Sequence, residues 1–487
     1  MQNVVVVQEQ LGGADWLVFA GVLLLTLGTV IYGNQRRKRI DRDGREETLL
    51  DLLLMGRRLT LPLFTGTLVA TWYGGIISVT EYYYDTGLYA WITQGGFWYL
   101  AYLVFAFCLV HRIRDTRART MPDLLSKLFG PDSGKLGAWL NLFNVLPVAY
   151  VLSLGLFLQF LFGGGLWTWM IVGTAGVLAY STVGGLRSVV FSDMVQFVVM
   201  CSAVALVVGF SMWEFGGIGT LTSSPHIPDG HWKPFGENQS LATTLVWGFV
   251  AFGTLVDPNF YQRCLAAKDS RTAKRGILLA TAVWIGFDFC AVFGTLYARA
   301  ALPEADMSTA YLMYSVQLLP PGVRGFFLAG ILATILSTVD SYLFLSGTVV
   351  AYDLAPARYR GNVGFHHLGT VCMAVLAVPV TALFAGGNLV DIWKFFGGFS
   401  TACLLFPLML GYMLPGRITD RCFVSSSLGG CLSMAAFYAL RSWCDLPAFW
   451  EGFEPFYVGL AGTVVGLLIA LPIYGTGARE RSELRKG

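Results

Sequence analysis

Apolar runs of about 20 residues, the length a helix needs to cross a bilayer, recur along the chain and are separated by short polar stretches. They predict thirteen membrane helices, over 14–34, 60–85, 88–110, 137–162, 165–183, 189–214, 241–259, 276–300, 324–351, 366–386, 389–414, 424–441 and 455–475. The polar positions inside these runs are not scattered. In Ala333-Thr-Ile-Leu-Ser-Thr-Val-Asp-Ser341, the residues Thr334, Ser337, Thr338 and Ser341 fall at i, i+3, i+4 and i+7, one stripe of an α-helix. Two runs look interrupted: the second at Val69-Ala-Thr-Trp-Tyr-Gly-Gly75, the seventh at Trp247-Gly-Phe-Val-Ala-Phe-Gly253 and again at Asp257-Pro258. They lie five runs apart, at corresponding places in two five-span halves, runs 2–6 and 7–11. Paired interruptions of this kind point to a binding site at the membrane midplane.

Composition agrees with this pattern and narrows it. The 487 residues are 55% hydrophobic and only 13% charged, against about 25% charged for a soluble domain. The chain is therefore expected to be an all-α polytopic membrane protein. The nine cysteines are scattered with no Cys-x-x-Cys pair, so neither a disulfide frame nor a metal site is expected. No charge run or basic patch suggests nucleic-acid binding, and no nucleophile–His–acid set suggests an enzyme. The first run lacks a preceding basic residue and ends in Arg36-Arg-Lys-Arg39, the reverse of a cleaved leader. Starting outside and alternating, the inner loops hold Arg36 to Arg58, Arg112 to Lys135, Arg187, Arg263 to Arg275, Arg358, Arg360, Arg417, Arg421 and Arg479 to Lys486. That is the asymmetry of the positive-inside rule. It predicts an N-terminus outside and a C-terminus in the cytoplasm.

Hydroxyls and acids inside a bilayer need partners. The hydroxyl stripe admits two readings. Each hydroxyl can bond back to its own helix or glue helices together, or the stripe can be an oxygen-lined site for a small hard cation. The acids Glu81, Asp193, Asp288, Asp340 and Asp391 lie in or at the ends of runs, where acids mark ion or solute paths or satisfied structural pairs.

At these residues the chain resembles the sodium:solute symporter family. Five stretches over roughly 50–415 carry the likeness: Gly56-Arg-Arg-Leu59 leading into Ala70-Thr-Trp-Tyr-Gly-Gly75; Thr120-Met-Pro-Asp-Leu-Leu125; Gly184-Gly-Leu-Arg-Ser-Val-Val-Phe-Ser-Asp-Met-Val-Gln196; Tyr261-Gln-Arg263 with Ala266-Ala-Lys-Asp269; and Ser337-Thr338 with Asp340-Ser341. The resemblance implies a LeuT-like inverted repeat of five plus five helices, with one helix before and two after. The corresponding divisions are 1–50 (first helix and basic linker), 51–215 (first repeat), 216–414 (outer loop and second repeat) and 415–487 (two further helices and tail). It also implies sodium as the coupling ion. Backbone carbonyls of Ala70, Tyr73 and Thr334 and the hydroxyls of Ser337 and Thr338 would hold it. A candidate second cation site maps to Asp193, with Ser341 beside it.

The solute residues are less determined. Trp72, Trp247 and Glu81 are the candidates. The string around Trp72 and Glu81 looks most like the choline-carrier branch, whose aromatic cage binds quaternary ammonium by cation–π attraction. A second cage tryptophan there falls near Pro258 here, which has no aromatic ring. The expectation is sodium-coupled import of a small polar organic solute, an amine or amino acid ahead of a sugar, across the plasma (inner) membrane by alternating access. A membrane sensor built on the same fold is the second reading. The expected partners are the solute, sodium and the lipid bilayer.

Overall fold

In the computed structural model the apolar runs become helices, and the two interrupted runs become broken ones. Residues 9–475 are described apart from 43–47, 182–184, 238, 357, 361, 385–388, 445–446, 448–449 and 451–452. In order, the membrane helices are α1 (Gly13–Arg42), α2 (Leu61–Ala70), α3 (Ile76–Thr86), α4 (the segment Leu88–Asp115), α5 (Pro131–Asn144), α6 (Val148–Phe162), α7 (Leu166–Ser181) and α8 (Gly185–Phe215). The second half holds α9 (Leu241–Phe252), α10 (Pro258–Ala266), α11 (Ser270–Ala301), α12 (Val323–Thr348), α13 (Val363–Leu383) and α14 (Leu389–Met413), followed by α15 (Asp420–Trp443) and α16 (Pro455–Tyr474). Among the described residues, eleven helical segments are long and apolar enough to span a membrane. The other two predicted runs fall on the short α2–α3 pair and on the sixteen-residue α7.

Burial separates the core from the lipid-facing shell. The most apolar stretch of the α12 segment is 94% buried, whereas that of α16 is 28% buried. α12 is therefore the packed axis of the bundle, set against α8, α1 and α13. Outer helices expose leucines and isoleucines such as Leu17, Leu24, Leu468 and Ile469. Such apolar patches would be a liability in water and are what a helix presents to hydrocarbon.

The breaks have local causes. α2 ends at Ala70, where Gly74 and Gly75 follow. A Cβ on Gly74 would lie 2.5 Å from the Cβ of Thr338, so only glycine lets the unwound segment rest on α12. α9 passes through a short 3₁₀ turn, Gly253–Val256, and α10 restarts at Pro258. Proline suits a first helical turn, and the Asp257 carboxylate caps it, accepting from the amides of Asn259 (2.8 Å) and Phe260 (3.3 Å).

One end of the bundle is tied across the chain. Leu59, just before α2, pairs with the loop after α10 through Leu59 N–H to Ala266 O (3.1 Å) and Lys268 N–H to Leu59 O (3.0 Å). The Thr120-Met-Pro-Asp stretch is a reciprocal helix cap: Thr120 accepts from Asp123 N–H, and the Asp123 carboxylate accepts from Arg119 N–H. Two residues that the charge count assigned to inner loops are buried instead. Arg187 forms an ion pair with Asp51. Arg263 lies in α10 and is 1% exposed. Neither acts as a solvated loop cation.

Candidate functional site

The hydroxyl stripe faces the first break. Thr334, Ser337, Thr338 and Ser341 are all fully buried. Thr334 and Thr338 bond back along their own helix, to Ile331 O (2.5 Å) and Thr334 O (3.0 Å). Ser337 does more. Its hydroxyl reaches Ala70 O at 2.6 Å across the break, with Thr334 O at 3.1 Å. The helix ends at Ala70, so this carbonyl has lost its usual amide four residues on. Ala70, Thr334, Ser337 and Thr338 are thus gathered around one point. Oxygen donors of this kind, carbonyl and hydroxyl, suit a hard monovalent cation. The Tyr73 carbonyl closes a turn with Ile76 N–H (3.0 Å), while its ring reaches elsewhere.

One turn further along the stripe the surroundings change. The Ser341 hydroxyl accepts from Arg263 Nη2 at 2.9 Å. The same nitrogen lies 3.8 Å from Asp193 Oδ2 and 3.4 Å from Thr67 Oγ1. Arg263 Nη1 donates to Asn259 Oδ1 at 2.9 Å, and Thr67 donates to Asp193. The predicted second cation position, Asp193 with Ser341, therefore holds a cation that belongs to the chain. Asp340 is buried nearby on α12, with one oxygen lacking a partner among the described residues.

Beside the first break lies a cavity of about 150 Å³. It is bounded by the first break and α3, α4, the α5–α6 corner, α9 and the second break, α11, α12 and α14, and both breaks open onto it. Of the three residues expected to meet the solute, Trp72 and Trp247 line it and Glu81 does not. Helix α3 restarts at Ile76, so Val79 and Tyr83, four residues apart, face the cavity. Glu81 lies midway between them in sequence and on the opposite face. The side chain of Asp391 lies outside the described residues.

Sequence reasoning underrated Asp288. It lies on α11, is 2% exposed and lines the cavity. Oδ1 accepts from the hydroxyls of Tyr73 (2.5 Å) and Tyr83 (3.4 Å), and Oδ2 accepts from Tyr99. Around it, Trp284 packs on Tyr102 at 4.3 Å between centroids, and Trp72 lies 6.0 Å from Trp284. Trp284 and Tyr102 supply rings that Pro258 cannot. The available signal was the density of tyrosines in α3 and α4, which reads equally well as core packing.

The model of the sodium:solute symporter family matches residues 56–430. A sodium/pantothenate symporter of Escherichia coli (strain K12) is 26% identical over 479 residues, covering 93% of this chain and 95% of that protein. Its counterpart from Haemophilus influenzae is 28% identical over 256 residues, with 51% of its length matched. A high-affinity proline transporter of Bacillus subtilis (strain 168) is 24% identical, covering 70% of this chain and 75% of that protein. Among solved structures, a Na+-coupled sialic acid symporter in a substrate-bound outward-open state superposes with a TM-score of 0.75 at 17% identity, covering 95% of this chain and 98% of that one. That likeness concerns the fold, the LeuT-like inverted repeat.

Proposed function

The chain belongs to the sodium:solute symporter family, a family of sodium-coupled transporters and not of enzymes, and we propose that it imports a small polar organic solute by alternating access. Sodium binds between α2 and α12, at the carbonyls of Ala70, Tyr73 and Thr334 and the hydroxyls of Ser337 and Thr338. The observation that carries this reading is the 2.6 Å contact from Ser337 to the freed carbonyl of Ala70. When sodium enters, the Ser337 proton turns from Ala70 O to Thr334 O, and the freed Ala70 carbonyl and the Ser337 lone pairs face the ion. The ion then joins the unwound segment of the first repeat to the axial helix of the second.

The solute occupies the cavity beside Trp72 and Trp247 and reaches it from the outer face. Closure of that face and parting of the inner backbone pairing at Leu59 and Ala267 release both ligands inward. An inward sodium at 100 mV contributes about 2.3 kcal/mol, enough for roughly fifty-fold accumulation of a neutral solute. The Asp193–Ser341 position is served by Arg263 in this conformation, so sodium activation with a Hill coefficient of about 1 is expected. The basic clusters fit a plasma-membrane protein with its N-terminus outside.

The test is radiolabelled-solute uptake into proteoliposomes under an inward sodium gradient. The double variant Ser337→Ala plus Thr338→Ala should lose sodium-driven accumulation while remaining folded. Full sodium-driven uptake by that variant would sink the assignment. A protein that binds solute yet accumulates none would instead be a sensor.

A further inference from the structure

We infer that the solute is a small organic monocation, an amine or a quaternary ammonium, bound at Asp288; this rests on the cavity being the solute site. The described residues around the cavity include two carboxylates, Asp257 and Asp288, and no lysine, arginine or histidine. Asp257 spends one oxygen on capping α10. Asp288 has no ion-pair partner among the described residues, and its hydrogen bonds come from three phenols. Tyr99 oxygen accepts from Trp91 Nε1 at 3.1 Å, which leaves the Tyr99 proton for Asp288. Three phenols converging on two oxygens suit an ionised carboxylate.

A buried ionised acid in a membrane protein calls for a counter-charge. Here the surroundings that could supply one are the cavity itself. An ionised carboxylate offers about four acceptor positions, and three are used, so about one remains for an incoming N–H. A quaternary ammonium needs none. Eleven aromatic side chains line the space, and aromatic faces attract organic cations with little demand on geometry. A volume of about 150 Å³ admits a ligand about the size of benzene, which fits a single ammonium group with a short polar arm. Thr254 Oγ1 and Gln94 Nε2, both lining the cavity and without partners among the described residues, suit that arm. Pantothenate and other carboxylates would place like charges together here.

The experiment uses the full-length purified protein in detergent and in proteoliposomes. The cation probes are choline and ethanolamine. Dimethylbutanol, the neutral carbon isostere of choline, tests charge at constant shape, and pantothenate, proline and glucose are the rival classes. Tryptophan fluorescence reads binding, because Trp72, Trp98, Trp247 and Trp284 line the site. At least one cation should bind about 30-fold or more tighter than dimethylbutanol. Asp288→Asn should abolish that preference while sodium still raises its melting temperature, which shows that it is folded. Tyr99→Phe, which keeps the carboxylate and drops one donor, should weaken cation binding by about tenfold. Equal binding of the isostere, or failure of both cations to bind, overturns the inference. Sodium-driven uptake of proline, glucose or pantothenate with the cations inert also overturns it, and leaves symport standing. Cation binding that ignores sodium does the reverse.

Discussion

The two ends of the α12 hydroxyl stripe are chemically alike and have opposite surroundings. At Ser337 the neighbours are neutral oxygens, above all the Ala70 carbonyl. At Ser341 the neighbour is the guanidinium of Arg263, which also faces Asp193. The first end lacks a formal charge and suits an ion that brings its own. The second carries an acid, Asp193, and a base, Arg263, that already face each other. A repeated hydroxyl motif therefore does not imply a repeated ion site; what lies across from it decides.

The sharpest way to break this comparison is to unbalance the second end. Asp193→Asn leaves a buried guanidinium without its acid. A loss of about 3 kcal/mol in stability is expected, near the low end for a broken buried pair, because Arg263 keeps Asn259 and Ser341. Thermal unfolding in detergent measures it, and Arg263→Gln in the same chain should restore much of the loss. An unchanged melting temperature for the single variant would mean the pair is not holding the inner half together. At the first end, Ser337→Ala plus Thr338→Ala should lower sodium affinity by about 100-fold with little change in melting temperature, because two ion-facing hydroxyls are worth roughly 1.5 kcal/mol each.

Smaller effects sharpen the contrast. Gly74→Ala pushes the break away from Thr338 and should cost about tenfold in sodium affinity, in line with the 1–3 kcal/mol of overpacking. Ser341→Ala should lower stability by about 1.5 kcal/mol, one hydrogen bond to a charged group, and leave sodium affinity within about twofold. A large drop in sodium affinity on Ser341→Ala would erase the difference between the two ends.

What could be read from sequence follows from where each signal resides. The α12 stripe and both breaks are local: helical spacing, Gly74-Gly75 and Asp257-Pro258 suffice to find them. Ser337 and Ala70 could be paired only through resemblance, because a separation of 267 positions leaves no local trace. Arg263 looked like a loop cation, since it lies among the basic residues after the seventh run. Only tertiary packing shows that α10 carries it inward to Asp193. Asp288 was hardest to see. Its partners Tyr73, Tyr83 and Tyr99 come from α3, α4 and the break before them, and each alone reads as ordinary aromatic core. Glu81 is the converse case. An acid near a break is conspicuous in sequence, but helical phase turns it away from the cavity.

In the proposed mechanism Tyr73 serves both ligands. Its carbonyl is assigned to sodium and its hydroxyl holds Asp288, so one residue transmits between the ion and the solute. Thermodynamic linkage then makes the effect mutual: the factor by which sodium tightens the solute is the factor by which the solute tightens sodium. We expect a compound that fills the cavity without engaging Asp288 to leave sodium affinity untouched. Such a compound competes for the site without being carried, and acts as an inhibitor. Sodium titrations with and without dimethylbutanol would show it, as a curve that does not move.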